Sequence, residues 1–226
     1  MEPEEKFESR EGRVLDFFPW KEGEPDAVIR YARKEDADGL AAVDMDRAKY
    51  RLGKYRAENY RISVEDGTFG NRVKKDLEKS LERPDELSFI VLDIGGEIVG
   101  YSEFGPKPEW GEGVICVHTT SVLQMNPRYK KTIGSSEEKG YGLGTKLRAM
   151  VISEAKKIPG AQKLQSSVHE WNIASLRSWE KLGSFPLPKS GRINNGPKGD
   201  PVVIYDSKKD KMIVSKVVRM SLDLKK

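Results

Sequence analysis

The sequence predicts a single α/β (α+β) domain with about seven strands. Three observations carry that expectation. Strand-like runs and helical periodicities alternate along the chain in the order β-α-α-β-β-β-α-β-α-β-β, with no internal repeat. Two strand-like runs, 87–93 and 97–104, are separated by Ile94-Gly95-Gly96, whose glycine pair suits a tight hairpin turn. The segment Gly140-Tyr141-Gly142-Leu143-Gly144 opens directly onto an amphipathic helix.

In chain order, residues 1–27 form an acidic N-terminal extension with nine acids against four bases. Its apolar patch Val14-Leu15-Asp16-Phe17-Phe18-Pro19-Trp20 is expected to dock onto the body, 28–226, while the first dozen residues stay loose. Val28–Ala32 reads as a strand, and Lys34-Glu35-Asp36-Ala37 opens a helix that buries Leu40, Ala41, Val43 and Met45. A polar connection rich in Arg and Tyr leads to a second helix over 71–83, where Val73, Leu77 and Leu81 fall four apart. After the hairpin, 114–125 is a strand supported by its β-branched residues. Leu143, Leu147, Met150, Val151 and Ala155 recur at helical spacing over 142–158. A short strand at 164–168 and a short helix at 173–182 follow, and 202–205 with 212–222 form a closing hairpin.

Charged residues make up 34% of the chain and the hydrophobic set 37%, with 4 Trp, 8 Tyr and 7 Phe, too aromatic for a wholly disordered polymer. Apolar runs such as Phe89–Leu92 fall far short of the ~20 residues of a membrane-spanning helix. The opening residues are acidic and lack the apolar stretch of a secretory signal. The single Cys116 lies in an apolar run and forms no internal disulfide, so the expectation is a cytoplasmic protein with one core thiol. The net charge of +4 conceals a gradient, −5 over residues 1–27 and +6 from Pro186 onward. Nucleic acid is not the expected partner of that basic end, because neither a zinc-finger spacing nor an RNP-like aromatic motif accompanies it.

The strongest local signal is Lys139-Gly140-Tyr141-Gly142-Leu143-Gly144-Thr145-Lys146-Leu147. Glycines let successive backbone N–H groups turn toward one point, and the positive end of the following helix adds to the attraction for phosphate oxygens. Spacing separates the families that use such a turn. A Walker loop needs Gly-Lys-Ser/Thr, and here Thr145-Lys146 follows Gly144. A dinucleotide fingerprint needs a third glycine where Leu147 stands. What fits is Arg/Gln-x-x-Gly-x-Gly/Ala, read as Lys139-x-x-Gly142-x-Gly144.

With that loop the sequence resembles the GNAT superfamily of acetyl-CoA-dependent N-acetyltransferases over residues 28 to about 183. Ile29-Arg30-Tyr31-Ala32 with Glu35-Asp36-Ala37 is similar to the family's first strand and helix. Leu123-Gln124-Met125-Asn126-Pro127-Arg128-Tyr129 is similar to the end of its fourth strand, although Lys130 to Glu138 then intervene before the loop. Val168-His169-Glu170-Trp171-Asn172 and Leu176 to Gly183 are similar to its fifth strand and fourth helix. The resemblance implies a mixed central sheet with helices on both faces and a cleft where the fourth and fifth strands splay. It assigns acetyl-CoA to the backbone of Leu123 and Met125, to Asn172, and to a phosphate loop of Lys139, Gly140, Tyr141, Gly142, Leu143, Gly144 and Thr145. Asn172 also reads as a plain helix N-cap before Ile173-Ala174-Ser175.

Acyl transfer to an amine needs a neutral nucleophile and a proton for the departing thiolate. The family's usual acid is a Tyr seven residues after the Asn, and Trp179 occupies that place here. The candidates are therefore His118 and Glu103 as bases and Tyr141 as an acid, with Tyr129 as a further acid. In a regular strand His118 faces away from the side that Thr119 occupies, and a bulge would re-aim it. Glu103 alternatively reads as an exposed strand carboxylate. The implied reaction is direct attack, in a ternary complex, by a primary amine of a small molecule or a peptide, and a homodimer is compatible with it. A fold that keeps the CoA site without efficient chemistry is the competing expectation, motivated by Trp179 and by Thr119, which stands where some members of the family carry a His or carboxylate on the fourth strand.

Overall fold

The computed structural model describes residues 10–55, 64–123, 126–129, 142–187, 192–193, 203–206, 211–214 and 216–225. Its centre is a mixed sheet of nine strands. They are β1 (Val14–Phe18), β2 (Ala27–Tyr31), β3 (Ser88–Ile94), β4 (Glu97–Pro106), β5 (Val114–Val122), β6 (Lys163–His169), β7 (Phe185–Pro186), β8 (Arg192–Ile193) and β11 (Lys216–Asp223). Neighbours run in the order β1-β2-β3-β4-β5-β6-β11-β7, with β8 also paired to β11. Every pairing is antiparallel except that of β5 with β6. A parallel neighbour needs a crossover, and helix α3 (Leu143–Lys156) supplies it.

Four α-helices with described bounds cover the sheet. On one face lie α1 (Ala37–Tyr55) and α2 (Thr68–Glu82), and on the other α3 and α4 (Ile173–Lys181). Strand β3 shows why its sequence is almost wholly apolar rather than alternating. Phe89 and Val91 point into the core beneath α1 and α2 with Leu40, Val43, Val73 and Leu77. Ile90, Leu92 and Ile94 point into the core beneath α3 and α4 with Leu147, Val151 and Trp179. A strand buried on both faces has no polar side to show. The β3–β4 turn is the expected hairpin, with Gly95 and Gly96 both at positive φ, 62° and 89°.

The strand count exceeds the seven expected. The apolar patch of the acidic segment does not merely dock. Val14–Phe18 is hydrogen-bonded to β2 as an edge strand, with a bulge between Val14 and Asp16, and Phe18 and Trp20 enter the core. The Lys146 ammonium lies 3.9 Å from the Phe18 ring centroid, joining this strand to α3. The expected closing hairpin divides in two. β9 (Val203–Asp206) and β10 (Lys211–Val214) form a separate two-stranded ribbon, whereas β11 joins the main sheet beside β6. In sequence, the polar pair Ser215-Lys216 interrupts the apolar positions where that division falls.

A buried charge cluster fixes where α1 begins. Arg30 on β2 donates to both oxygens of Asp36 at 2.6 and 2.9 Å and to Asp93 on β3 at 3.0 Å. The same Asp36 accepts from the Arg33 backbone N–H at 2.7 Å, at the turn that leads into α1. Arg30→Leu would leave Asp36 without its cation, and a buried pair broken on one side typically costs about 3–5 kcal/mol. Urea unfolding should show a loss of that size; a loss below 1 kcal/mol, the range of an exposed pair, would contradict it.

Candidate active site

The site begins where the sheet parts. β5 and β6 pair over Val114↔Lys163, Ile115↔Leu164, Cys116↔Gln165 and Val117↔Ser166, and there the pairing ends, although β5 runs on to Val122 and β6 to His169. The change of course coincides with a bulge. Phe104 pairs with Val117 and Glu103 with Thr119, so His118 is one residue more than β4 can match. Such an insertion bends and twists its strand.

Glu103 lies at this break, opposite Thr119, and faces α1 and α2. It is 5% exposed, unlike the ordinary strand carboxylate that its sequence context suggests. Burial pushes its carboxyl up to about 7, against the opposing pull of Arg72. Its Oε2 accepts no hydrogen bond among the described residues, and the Arg72 guanidinium stands 3.6 Å from it. Beside it Asp44, fully buried on α1, accepts a hydrogen bond from the Tyr101 hydroxyl at 2.6 Å and pairs with Arg47.

His118 is exposed, yet the surrounding protein and then the cations Lys107 and Arg72 lower it to about 4. Of these cations, Arg72 belongs to α2. At the far end of β6, His169 stacks on Trp171 with centroids 4.6 Å apart, and Arg51 of α1 lies 5.8 Å from the Trp171 ring. Burial, followed by Arg51 and Arg47, holds His169 down to about 3. Arg72, His169 and Trp171 were not singled out as site residues by sequence reasoning. The cluster His169-Glu170-Trp171-Asn172 at a strand end was the available signal for two of them.

The glycine turn sits at the other side of the gap. Gly142 has φ 74° and ψ 11°, a left-handed conformation that favours glycine, and a Cβ there would meet nothing within 4 Å. Its carbonyl accepts from the N–H groups of Thr145 and Lys146 at 2.9 and 3.0 Å, which places the N–H groups of Leu143 and Gly144 at the open start of α3. No acidic residue occupies that first turn. A Cβ on Gly144 would lie 3.7 Å from Val122, so the helix starts against the C-terminal end of β5.

Asn172 caps α4, its side chain accepting from the Ser175 N–H at 3.2 Å. Helices α3 and α4 are joined by the Thr145 and Ser178 hydroxyls at 2.8 Å and by Arg148 donating to Ser175 at 2.9 Å. Trp179 is 2% exposed in the core, with the Arg148 guanidinium over its ring. Tyr129 packs on Trp20 and donates to Glu97. The Leu123 N–H donates to the Val99 carbonyl at 2.9 Å. A cavity of about 430 Å³ beside Leu123 is lined also by Glu35, Gly39 and Ile98, and not by Glu103 or Asn172. Met125, Lys139, Gly140, Tyr141 and the insertion Lys130 to Glu138 lie outside the described residues.

A family model described as the Acetyltransferase (GNAT) family matches residues 51–184. No curated protein matches the sequence. Among solved structures, an N-acetyltransferase from Staphylococcus aureus Mu50 superposes with a TM-score of 0.61 at 17% identity, over 88% of this chain and 98% of that one. A ribosomal-protein-alanine N-acetyltransferase from Brucella melitensis gives 0.59 at 20% identity, over 86% and 98%. The PaiA N-acetyltransferase from Thermoplasma acidophilum, in complex with coenzyme A, gives 0.56 at 14% identity, over 87% and 98%.

The buried state of Glu103 has a thermodynamic signature. Its folded pKa of about 7 lies above the reference 4.5, so folding favours the protonated form. The corresponding stability is fully present below pH 4.5 and is lost as pH rises through 7. Relative to Glu103→Gln, the wild-type protein should lose up to about 3 kcal/mol between pH 4.5 and 8, the equivalent of that shift. Urea unfolding of both proteins across the window checks this, and parallel curves would show that Glu103 is ionised at no cost.

Proposed function

The chain belongs to the GNAT acetyltransferase family, and we propose that it is an N-acetyltransferase acting on a primary amine of a small molecule or a peptide. The observation that carries this reading is Glu103, a buried carboxylate at the point where β5 and β6 part, pushed up to about 7 by burial and with one oxygen that accepts no hydrogen bond among the described residues. A general base works best when its pKa lies near the operating pH.

The residues at the glycine turn fit an acyl-CoA. The first turn of α3 offers N–H groups and no carboxylate, and the space at Gly142 is open. Gly142, Leu143, Gly144 and Thr145 would hold the diphosphate, with Lys139, Gly140 and Tyr141 completing the loop. Leu123, Met125 and Asn172 would hold the pantetheine. The coenzyme A complex of the Thermoplasma neighbour supports a ligand of this type. Bound acetyl-CoA would supply the acetyl group as a thioester open to direct attack by the acceptor amine in a ternary complex.

The chain's own groups then divide the remaining work. Glu103 takes the proton that the acceptor ammonium must lose. His118 and His169, held at about 4 and 3, are neutral at pH 7 and much weaker bases than Glu103. Trp179, sealed in the core, serves packing, which leaves Tyr141 as the candidate to protonate the departing thiolate. The acceptor would enter beneath α1 and α2, where Asp44, Arg47 and the His169–Trp171 stack accompany Glu103.

Release of CoA thiol with a panel of primary amines tests the reading. Glu103→Gln should lower kcat/KM by about 10²–10⁴-fold, the usual contribution of a positioned base, while leaving CoA affinity intact. Gly142→Glu should abolish CoA binding measured by calorimetry. CoA binding with no thiol release for any amine would instead make the protein a binding module.

A further inference from the structure

Arg72 lies among three carboxylates and satisfies only one of them. Its Nη1 donates to Asp76, one helical turn along α2, at 2.7 Å. The same nitrogen is 3.6 Å from Glu103 Oε2, and Nη2 is 3.7 Å from Asp44 Oδ2. Both distances are too long for a hydrogen bond. The two oxygens that Arg72 approaches without bonding are those that accept no hydrogen bond among the described residues. Asp76 and Arg72 are 30% and 39% exposed at the side chain, whereas Glu103 and Asp44 are 6% and 0% exposed, so the tether sits on the solvent side of the buried acids.

We infer that Arg72 is a positioning residue for Glu103, held by Asp76 at ion-pair range but short of hydrogen-bond contact, so that the carboxylate can both ionise and accept a proton. The inference rests on the reading of Glu103 as the base. Its logic is a balance between two failures. In direct contact, the planar guanidinium would bind Glu103 as a permanent ion pair, a poor proton acceptor. Without the guanidinium, a carboxylate this deeply buried would stay protonated. The intermediate distance avoids both, and Asp76 sets it.

The groups packed around Glu103 define what else can act on it. From α1 come Asp44 and Arg47, from α2 Arg72 and Asp76, from β4 Tyr101, and from β5 Cys116 and Thr119. Its neighbour on β3 is Phe89, which carries no charge. Arg72 opposes burial more than any other of these groups, and Asp76 leads those that reinforce it.

The experiment follows the carboxyl carbon of Glu103 by NMR in protein labelled at glutamate, with Glu103→Gln identifying the signal, alongside the pH profile of kcat/KM. Asp76→Asn frees Arg72 to close on Glu103, so the titration and the acidic limb should move down by about one pH unit. Arg72→Gln should move both up by a similar amount, and Arg72→Lys should lie between that variant and the wild type. An unchanged Glu103 titration in both Asp76→Asn and Arg72→Gln would overturn the inference and leave Arg72 a merely structural residue. Should Glu103→Gln retain wild-type turnover, the base reading falls, and the NMR titrations still decide whether Arg72 controls this carboxyl.

Discussion

The single residue by which β5 exceeds β4 is the constraint around which the site is arranged. With His118 unmatched, β5 turns from the course that keeps it beside β6, and the one parallel pairing among the described strands ends after four residue pairs. A sheet otherwise sealed on both faces thus acquires an internal gap. Backbone groups within that gap have no ladder to satisfy them, and a polar ligand is a physically reasonable occupant. The start of α3 is directed to the same gap because the crossover from β5 to β6 must leave from the C-terminal end of β5.

Around the gap, charge is handled in two ways. Arg30, Asp36 and Asp93 form a closed cluster in which bonds at 2.6 to 3.0 Å satisfy the buried cation, and such an arrangement is rigid. Glu103 and Asp44 belong to an open cluster, each with an oxygen that accepts no hydrogen bond among the described residues. Unsatisfied buried oxygens destabilise a fold, and two such carboxylates facing one guanidinium suit a place where protons move. The closed cluster sits where α1 begins and the open one midway along α1, so the same helix is anchored at one end and poised at its middle.

Much of this was legible in the sequence. The glycine pair of the hairpin, the apolar period of α3 and the cap at Asn172 depend on neighbours within four residues, and each reads directly. The family was legible from Lys139-x-x-Gly142-x-Gly144 and the Asn172 segment in their order along the chain. Burial of Glu103 was not, because it depends on α1 and α2, Ala37–Tyr55 and Thr68–Glu82, folding over β4 from well upstream in sequence. Arg72 was illegible for the same reason, since its two distant partners, Asp44 and Glu103, lie on other elements. The bulge at His118 arises from a mismatch of register between strands, which neither strand shows alone.

The outermost strand carries one more consequence. β2 is apolar and buried, and without β1 its free edge would offer a ready template for a strand of another molecule. β1 occupies that edge and is itself a poor template, interrupted by the bulge after Val14 and bearing Asp16 in its middle. β1 therefore guards the sheet against intermolecular growth, and removing Val14–Phe18 would trade a folded edge for an aggregating one.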